Sequence, residues 1–248
     1  MTTCPDGFKR IHLDACTSTN DYLKQNIVRL QADFPLLVSA DVQSAGRGRE
    51  KRDWFSPEHA GIYATFGFHL PDSQALSLLS ITCGVALIDT LHGWTGKAFA
   101  LKWPNDVLAE GRKIAGILCE TVINAEKIIC LAGIGVNVNQ DHGDFPDVLR
   151  GRAGSLKLLT GAEWALADGR DRLAASMACW LEKLLKDDRA CIIDRARSLS
   201  RSFQGQPISF HQQGQVVRGI FLDIAADGGL LLDLGSAGKK IFYSGELD

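Results

Sequence analysis

Four cations fall within residues 47–52 (Arg47, Arg49, Lys51 and Arg52), inside the run QSAGRGREKRDW at 43–54. Guanidinium forks in such a group can hold phosphate or carboxylate. Gly46 and Gly48 let the backbone adopt positive φ and come close to a ligand, with amides free to face an anion. Trp54 offers a flat apolar face that could cover a ring. An exposed basic loop without a special role would carry the same residues.

Four further stretches have residue types that bear on chemistry. KWPND at 102–106 puts Lys102 at the end of a strand in which Phe99 and Leu101 alternate, hence at the rim of a sheet, and Pro104 sets the following turn. Asn105 and Asp106 follow it; the sequence identifies no general base, and Asp106 is only a guess for one. A solvated lysine at an ordinary strand end fits those residues too. KIAGIL at 113–118 and GIGVNVN at 133–139 place Lys113, Gly116 and small residues inside strands, which leaves room for a ligand or another backbone. There Asn137 and Asn139 alternate with valine and are predicted to share a face. A sheet with a β-bulge at a glycine is the plain alternative. In TSTN at 17–20, Ser18, Thr19 and Asn20 cap a helix or present hydrogen-bond partners to a small polar ring.

Other motifs are lacking. GWTGK at 93–97 does not have the spacing of a phosphate-binding P-loop, and GRGREK lacks the third glycine of a dinucleotide fingerprint. No G-x-S-x-G elbow, H-E-x-x-H or C-x-x-C occurs, and the six histidines are dispersed, so no protein-held metal is expected.

Hydrophobic periodicity supplies the elements that must position these residues. Strands are predicted at 9–14, 34–42, 61–70 and 97–103, with a hairpin made by 113–123 and 127–139 joined at 124–126. A helix capped by Thr19 or Asn20 carries Tyr22, Leu23, Ile27 and Leu30 on one side. Asp72 or Ser73 opens an apolar helix running to Gly93. Leu166, Leu173, Met177, Trp180, Leu181 and Leu184 mark a helix over 162–187, supported by the Glu182–Lys186 spacing, and another covers 189–203. Beyond Phe203 the chain becomes short strands broken by QQG, ADGG and SAGK turns. The expected organisation is a catalytic domain at 1–203 and a small β-barrel at 204–248, too short to stand alone and therefore docked on the first.

The 248 residues are 46% hydrophobic and 23% charged, with a net charge of −2. That balance gives no support for bulk binding to nucleic acid or anionic membrane, so anion binding must rest on the local cations. Seven scattered cysteines fit a reducing compartment. The N-terminus lacks a signal-peptide pattern, and no apolar stretch near 18 residues is expected, which together suggest a cytoplasmic protein without a membrane span.

Each motif is weak alone, but their order is specific. STN, Q-x-x-GRGR-x-x-R-x-W, KWPND, K-I-AGIL and GIGVNVN, followed by GQPISF, GGLLLDL and SGEL, resemble the biotin–protein ligases from Arg10 to the C-terminus. The resemblance implies an α+β fold: a mixed β-sheet packed with helices, of the class II aminoacyl-tRNA synthetase-like biotin–lipoate ligase type, then a small SH3-like β-barrel. It implies ATP and biotin as substrates, Mg²⁺ travelling with the nucleotide, and a biotin carboxyl carrier protein domain as acceptor. Ser18, Thr19, Asn20 and Gln43 then match positions that bind the biotin head group. Gly46, Arg47, Gly48 and Arg49 match the loop over biotin and its adenylate. Lys102 matches the lysine beside the biotin carboxylate and α-phosphate, which makes Lys102, Arg47 and Arg49 the expected catalytic cations. Arg49, Arg52, Trp54, Asn105, Lys113 and Asn137 fall on the nucleotide side, and Gly116 on the biotin side.

Two departures stand out. Relatives carry GRGR-R-G-R where this chain has GRGREKR, so Glu50 enters the loop and a glycine is lost. About ten residues precede the likeness, leaving no room for a helix-turn-helix, so no sequence-specific DNA binding is expected. A monomer or weak homodimer is expected. The alternatives are a lipoate or octanoate–protein ligase, whose R-R-x-S-G-G-G stretch is absent here, and a non-catalytic biotin-binding module, which would not need Lys102.

Overall fold

The computed structural model describes residues 7–71, 74–124, 127–186, 188–212 and 215–247. Its main sheet is built from β1 (Lys9–Cys16), β2 (Leu36–Gln43), β3 (Gly61–Leu70), β4 (Ala100–Lys102), β5 (Asp106–Ala109), β6 (Arg112–Asn124) and β7 (Lys127–Asn137). The strand order is β1-β2-β3-β7-β6-β5-β4. Only β1 and β2 run parallel, so the sheet is mixed, as the resemblance implies.

Alternation divides the sheet into two faces. On one lie α3 (Gln74–Thr95), α5 (Leu166–Leu185) and α6 (Arg189–Leu199), packed over a continuous core that includes Phe66, Leu87, Leu101, Ile134 and Met177. On the other, α1 (Thr19–Gln25) and α2 (Ile27–Leu30) bury Leu23, Ile27 and Leu30 against Leu36, Val38, Ile129 and Leu131. The rest of that second face is left open. The candidate site lies there.

Several expected boundaries move for local reasons. The first helix is two short ones, because Asn26 leaves helical geometry (φ −102°, ψ 12°) and its side chain donates to the Tyr22 carbonyl at 2.8 Å, competing with the backbone ladder. The strand expected at 97–103 is reduced to three residues before the cis Trp103–Pro104 bond. Strand β7 stops at Asn137, since Val138 and Asn139 both turn their N–H groups to the Ala60 carbonyl. Residues 162–165 are not helical: a short α4 (Leu156–Thr160), capped by Ser155, ends at Gly161 with φ 76°, and Asn139 Oδ1 then accepts the Trp164 N–H at 2.9 Å. The β-bulge falls where β5 meets β6, at Ile114, and not at a glycine. The expected opening of α3 at Asp72 or Ser73, the hairpin tip at 125–126 and part of the QQG turn lie outside the described residues.

The expectation of no long apolar stretch is corrected. Ala75–Thr95 is 21 residues long and contains an 18-residue stretch of mean hydropathy 1.6, enough by length and composition to cross a bilayer. Within this fold 72% of that stretch is buried, between the sheet, α5 and α6. An element apolar all round can be the core of a domain as well as a span.

The C-terminal segment forms a second, antiparallel five-stranded sheet: β8 (Pro207–Gln212), β9 (Gln215–Ile224), β10 (Leu230–Asp233), β11 (Lys239–Phe242) and β12 (Glu246–Leu247), in the order β11-β10-β9-β8-β12. Phe210 and Phe242 meet inside it at 4.7 Å between ring centroids. Docking is tight. Trp103 donates its indole N–H to the Gly228 carbonyl at 2.9 Å, Arg197 donates to the Ile224 carbonyl at 2.8 Å, and Phe210 and Phe221 join the helical core. A sheet of this size gains from a neighbour what it cannot bury alone.

Candidate active site

The open sheet face is floored by Gly116 and Leu118 of β6 and by Gly133 and Gly135 of β7, which alternate toward it. At the α1 end stands a buried polar network. Ser18 occupies the N-cap position of α1 but makes no cap bond, and neither Thr19 nor Asn20 caps, contrary to the simple reading of TSTN. The Thr19 backbone and the Thr19 and Asn20 side chains reach across the fold instead. The Thr19 N–H donates to Gln43 Oε1 at 2.9 Å, and Gln43 Nε2 donates to Ser56 Oγ at 2.9 Å. Thr65, from the middle of β3, lies 2.8 Å from Thr19 Oγ1 and 2.5 Å from Asn20 Oδ1. Asn20 Nδ2 donates to Glu120 Oε2 at 3.0 Å and to the Leu118 carbonyl at 3.3 Å. Ser18, Thr19, Asn20 and Thr65 are all buried. Such a wall of fixed donors and acceptors suits a small polar ring.

The basic loop closes one side of this face as a hairpin: Trp54 N–H donates to the Gly46 carbonyl at 2.8 Å, and Gly48 N–H to the Arg52 carbonyl at 2.7 Å. Gly46, expected at the ligand, is not among the residues lining the cavity of the ligand-free protein. It sits at the loop's base, where a Cβ would meet Ser56 Oγ and the Trp54 carbonyl at 2.6 Å. The loop tip departs from easy geometry, with Glu50 at φ 54° and Lys51 at φ 60°. Left-handed backbone costs a residue with a Cβ about 1–2 kcal/mol. Lys51→Gly should therefore raise stability by about 0.5–1 kcal/mol after the glycine's added unfolded-state entropy. Calorimetry should register a rise in Tm of roughly 2 °C. A lower Tm would mean that no strain resides at Lys51.

Trp54 lies flat across the glycine floor, and a Cβ at Gly135 would come within 2.4 Å of its ring. Its indole N–H is buried and has no partner. The Lys113 ammonium sits 5.5 Å from a Trp54 ring centroid and 2.7 Å from Asp106 Oδ1. Asp106, the candidate base, is thus held in an ion pair. Asn137 donates its amide to the Gly154 carbonyl at 3.0 Å, fixing it beside the cavity, whereas Asn139 donates to the Trp164 carbonyl and does not line it.

Arg47, Arg49 and Lys102 all line a single cavity of about 950 Å³. Their charges are differently committed. Arg47 is clasped by Asp21 (2.5 and 3.1 Å) and Glu120 (3.1 Å). Arg49 donates to Asn105 Oδ1 at 2.9 Å and has no carboxylate partner, and Lys102 has none either, among the described residues. Burial alone would raise the Glu120 pKa, but hydrogen bonds from Asn20 and Lys24 and the Arg47 and Lys24 charges hold it below the ordinary value. Sequence reasoning missed Thr65, Asp21, Glu120 and Arg152, and also His211 and Leu247, which bring the C-terminal sheet to the cavity wall. Glu120 alone had a legible signal: it shares the strand parity of Gly116 and Leu118.

A mixed sheet bearing a polar pocket, a glycine floor and unpaired cations, with a small sheet docked behind, defines a class of ligases. Residues 13–139 match the biotin/lipoate A/B protein ligase family, and residues 203–248 match the biotin protein ligase C-terminal domain. The chain is 33% identical to a biotin–[acetyl-CoA-carboxylase] ligase of Mycobacterium tuberculosis, over 96% of this chain and 88% of that one. It is 34% identical to the enzyme of the same name from Paracoccus denitrificans, over 85% and 88%. Among solved structures, a biotin protein ligase from Aquifex aeolicus in complex with biotin and ATP superposes with a TM-score of 0.82 at 27% identity, covering 97% of each chain. The chain therefore belongs to the biotin/lipoate A/B protein ligase family, and within it to the biotin protein ligases.

Proposed function

We propose that the protein condenses biotin with ATP to form biotinyl-5'-AMP and pyrophosphate, then transfers the biotinyl group to a lysine of a biotin carboxyl carrier domain. The observation carrying this reading is the cavity that joins a buried polar pocket to cations without carboxylate partners among the described residues, Lys102 and Arg49 among them. In the first step a biotin carboxylate oxygen attacks the α-phosphorus and pyrophosphate leaves. Two anions must approach one another, so Lys102 and Arg49 lower the barrier by preorganised electrostatics and alignment. Ser18, Thr19, Asn20 and Gln43 are assigned to the biotin head group, and Trp54, Asn105, Lys113 and Asn137 to the nucleotide side. Mg²⁺ arrives with the nucleotide phosphates; the described residues include no cluster of three or more His, Cys, Asp or Glu side chains suited to a metal. We place the reaction in the cytoplasm, where the six free thiols of the described residues stay reduced.

The product of the first step is a mixed anhydride that water would destroy, so the loop at 46–54 must exclude water until the acceptor amine arrives. In the second step the neutral lysine amine attacks the anhydride carbonyl and AMP departs. Arg49→Ala removes the bond to Asn105 and should let the adenylate escape about ten times faster. Filter retention of labelled biotinyl-AMP measures this, and wild-type retention would contradict it. The reading as a whole is tested with ATP, Mg²⁺, an apo-carrier domain and either biotin or lipoate, weighing the carrier by mass spectrometry. Biotin addition alone is expected. Lipoate addition alone would replace this reading with the lipoate one, and an unmodified carrier would favour a binding module.

A further inference from the structure

Arg47 was expected to act on the reacting anions, yet its surroundings are arranged to consume its charge. Its Nε and Nη2 form a two-toothed grip on Asp21, at 3.1 and 2.5 Å, and Nη2 also reaches Glu120 Oε2 at 3.1 Å. Both carboxylates are mostly covered, with side-chain exposures of 27% and 19%. Glu120 stands on a central strand and is anchored independently by Asn20 (3.0 Å) and Lys24 (3.2 Å). Asp21 is fixed by its place in the first turn of α1. Two carboxylates, one guanidinium and one ammonium make a cluster with no net charge. Arg47 therefore presents little free charge to the cavity, while the loop that carries it is joined to rigid elements at that point.

We infer that Asp21 and Glu120 are positioning residues that latch the loop at 46–54 through Arg47, leaving the cavity's other cations, Lys102 and Arg49 among them, to meet the substrate anions. The loop is also tied by its own hairpin bonds, by the Arg49–Asn105 contact and by Trp54 packed at its far end against Lys113 and the glycine floor, while its tip at Glu50 and Lys51 is in the left-handed region. Without the latch, nothing else described draws the residue-47 side chain toward α1 and β6. The link from latch to catalysis rests on the ligase reading above; the latch does not.

The test therefore has two readouts. Trypsin can cut within the loop after Arg49, Lys51 and Arg52, and cutting of the ligand-free protein needs no enzymatic activity. In Glu120→Gln, whose charge alone is lost, cutting at those sites should be about tenfold faster, with cutting elsewhere unchanged. Combining it with Arg47→Met should give no more acceleration than Arg47→Met alone, because both changes remove one interaction. Multiplied effects, or wild-type cutting in Glu120→Gln, would overturn the latch. Should Glu120→Gln not fold, Asp21→Asn carries the same expectation. In the biotinylation assay Glu120→Gln should raise KM for biotin about tenfold and change kcat less than about threefold. A fall in kcat at unchanged KM would overturn the positioning role. Latch-dependent cutting in a chain that does not biotinylate would sink the ligase reading and leave the latch standing.

Discussion

Lys102→Ala is expected to slow biotin-dependent exchange of labelled pyrophosphate into ATP by about 10²–10³-fold, a loss of about 3–4 kcal/mol of transition-state stabilisation. Lys102 closes the short edge strand β4, its side chain lines the cavity, and no carboxylate among the described residues draws its charge away. Lys113 cannot stand in for it, because Asp106 holds the Lys113 ammonium at 2.7 Å. Arg47 is likewise committed to Asp21 and Glu120. Two of the cavity's cations are thus spent, so the repulsion between carboxylate and phosphate falls to those that remain on its wall, Lys102 and Arg49 with Arg52 and Arg152. The fold should be indifferent to the change, since a partly exposed lysine without an ion pair contributes little stability. Calorimetry should find Tm within about 2 °C of wild type. An exchange rate at the wild-type level would remove Lys102 from the mechanism.

Gly133→Ala should be the more damaging change at the proposed biotin end. A Cβ there would lie 2.3 Å from Asn20 Oδ1 and 2.9 Å from Asn20 Cγ, so the amide must move. It cannot move alone. Asn20 is bonded to Thr65, Glu120 and the Leu118 carbonyl, and it is buried with 3% exposure. Overpacking of this kind costs about 1–3 kcal/mol, and each buried polar group left without a partner adds about 1–3 kcal/mol. Denaturant unfolding should register about 2–4 kcal/mol in all. KM for biotin should rise about 100-fold while KM for ATP changes less than about threefold, because the part of the cavity proposed for the nucleotide is floored elsewhere, by Gly135 beneath Trp54. Equal rises in both constants would show that Gly133 supports the whole sheet and not the biotin pocket.

The two variants mark how far linear reasoning reaches. The rim position of Lys102 follows from the alternation of Phe99 and Leu101 and from Pro104, all within a few residues of it. Asn20 was open to misreading as a cap, because a polar residue at a helix start has a local role ready for it. Its actual partners lie 45 residues away on β3 and 98 and 100 residues away on β6. Arg47 reads as one of four similar cations, yet its two carboxylates, 26 and 73 residues distant, set it apart from Arg49. The glycines of β6 and β7 announce that something approaches closely; that Trp54 and Asn20 fill the space depends on which strands neighbour one another. Helix α3 shows the same limit for the core, since its composition would suit a bilayer as well as it suits a sheet and two helices.

Strands, most helices, the glycine-lined open face and the cation at the sheet rim were decided by periodicity and turn chemistry, which act over fewer than about 20 residues. Ordered motifs along the chain pointed to the ligase family for the same reason: they record residue types, not their distances. Which charges are free, which are quenched, and which side chain rests on which glycine were decided by strand order and helix placement. Electrostatics and close packing act through space over a few ångströms. Neighbours at that range come from distant parts of the chain, so only the folded molecule assigns them.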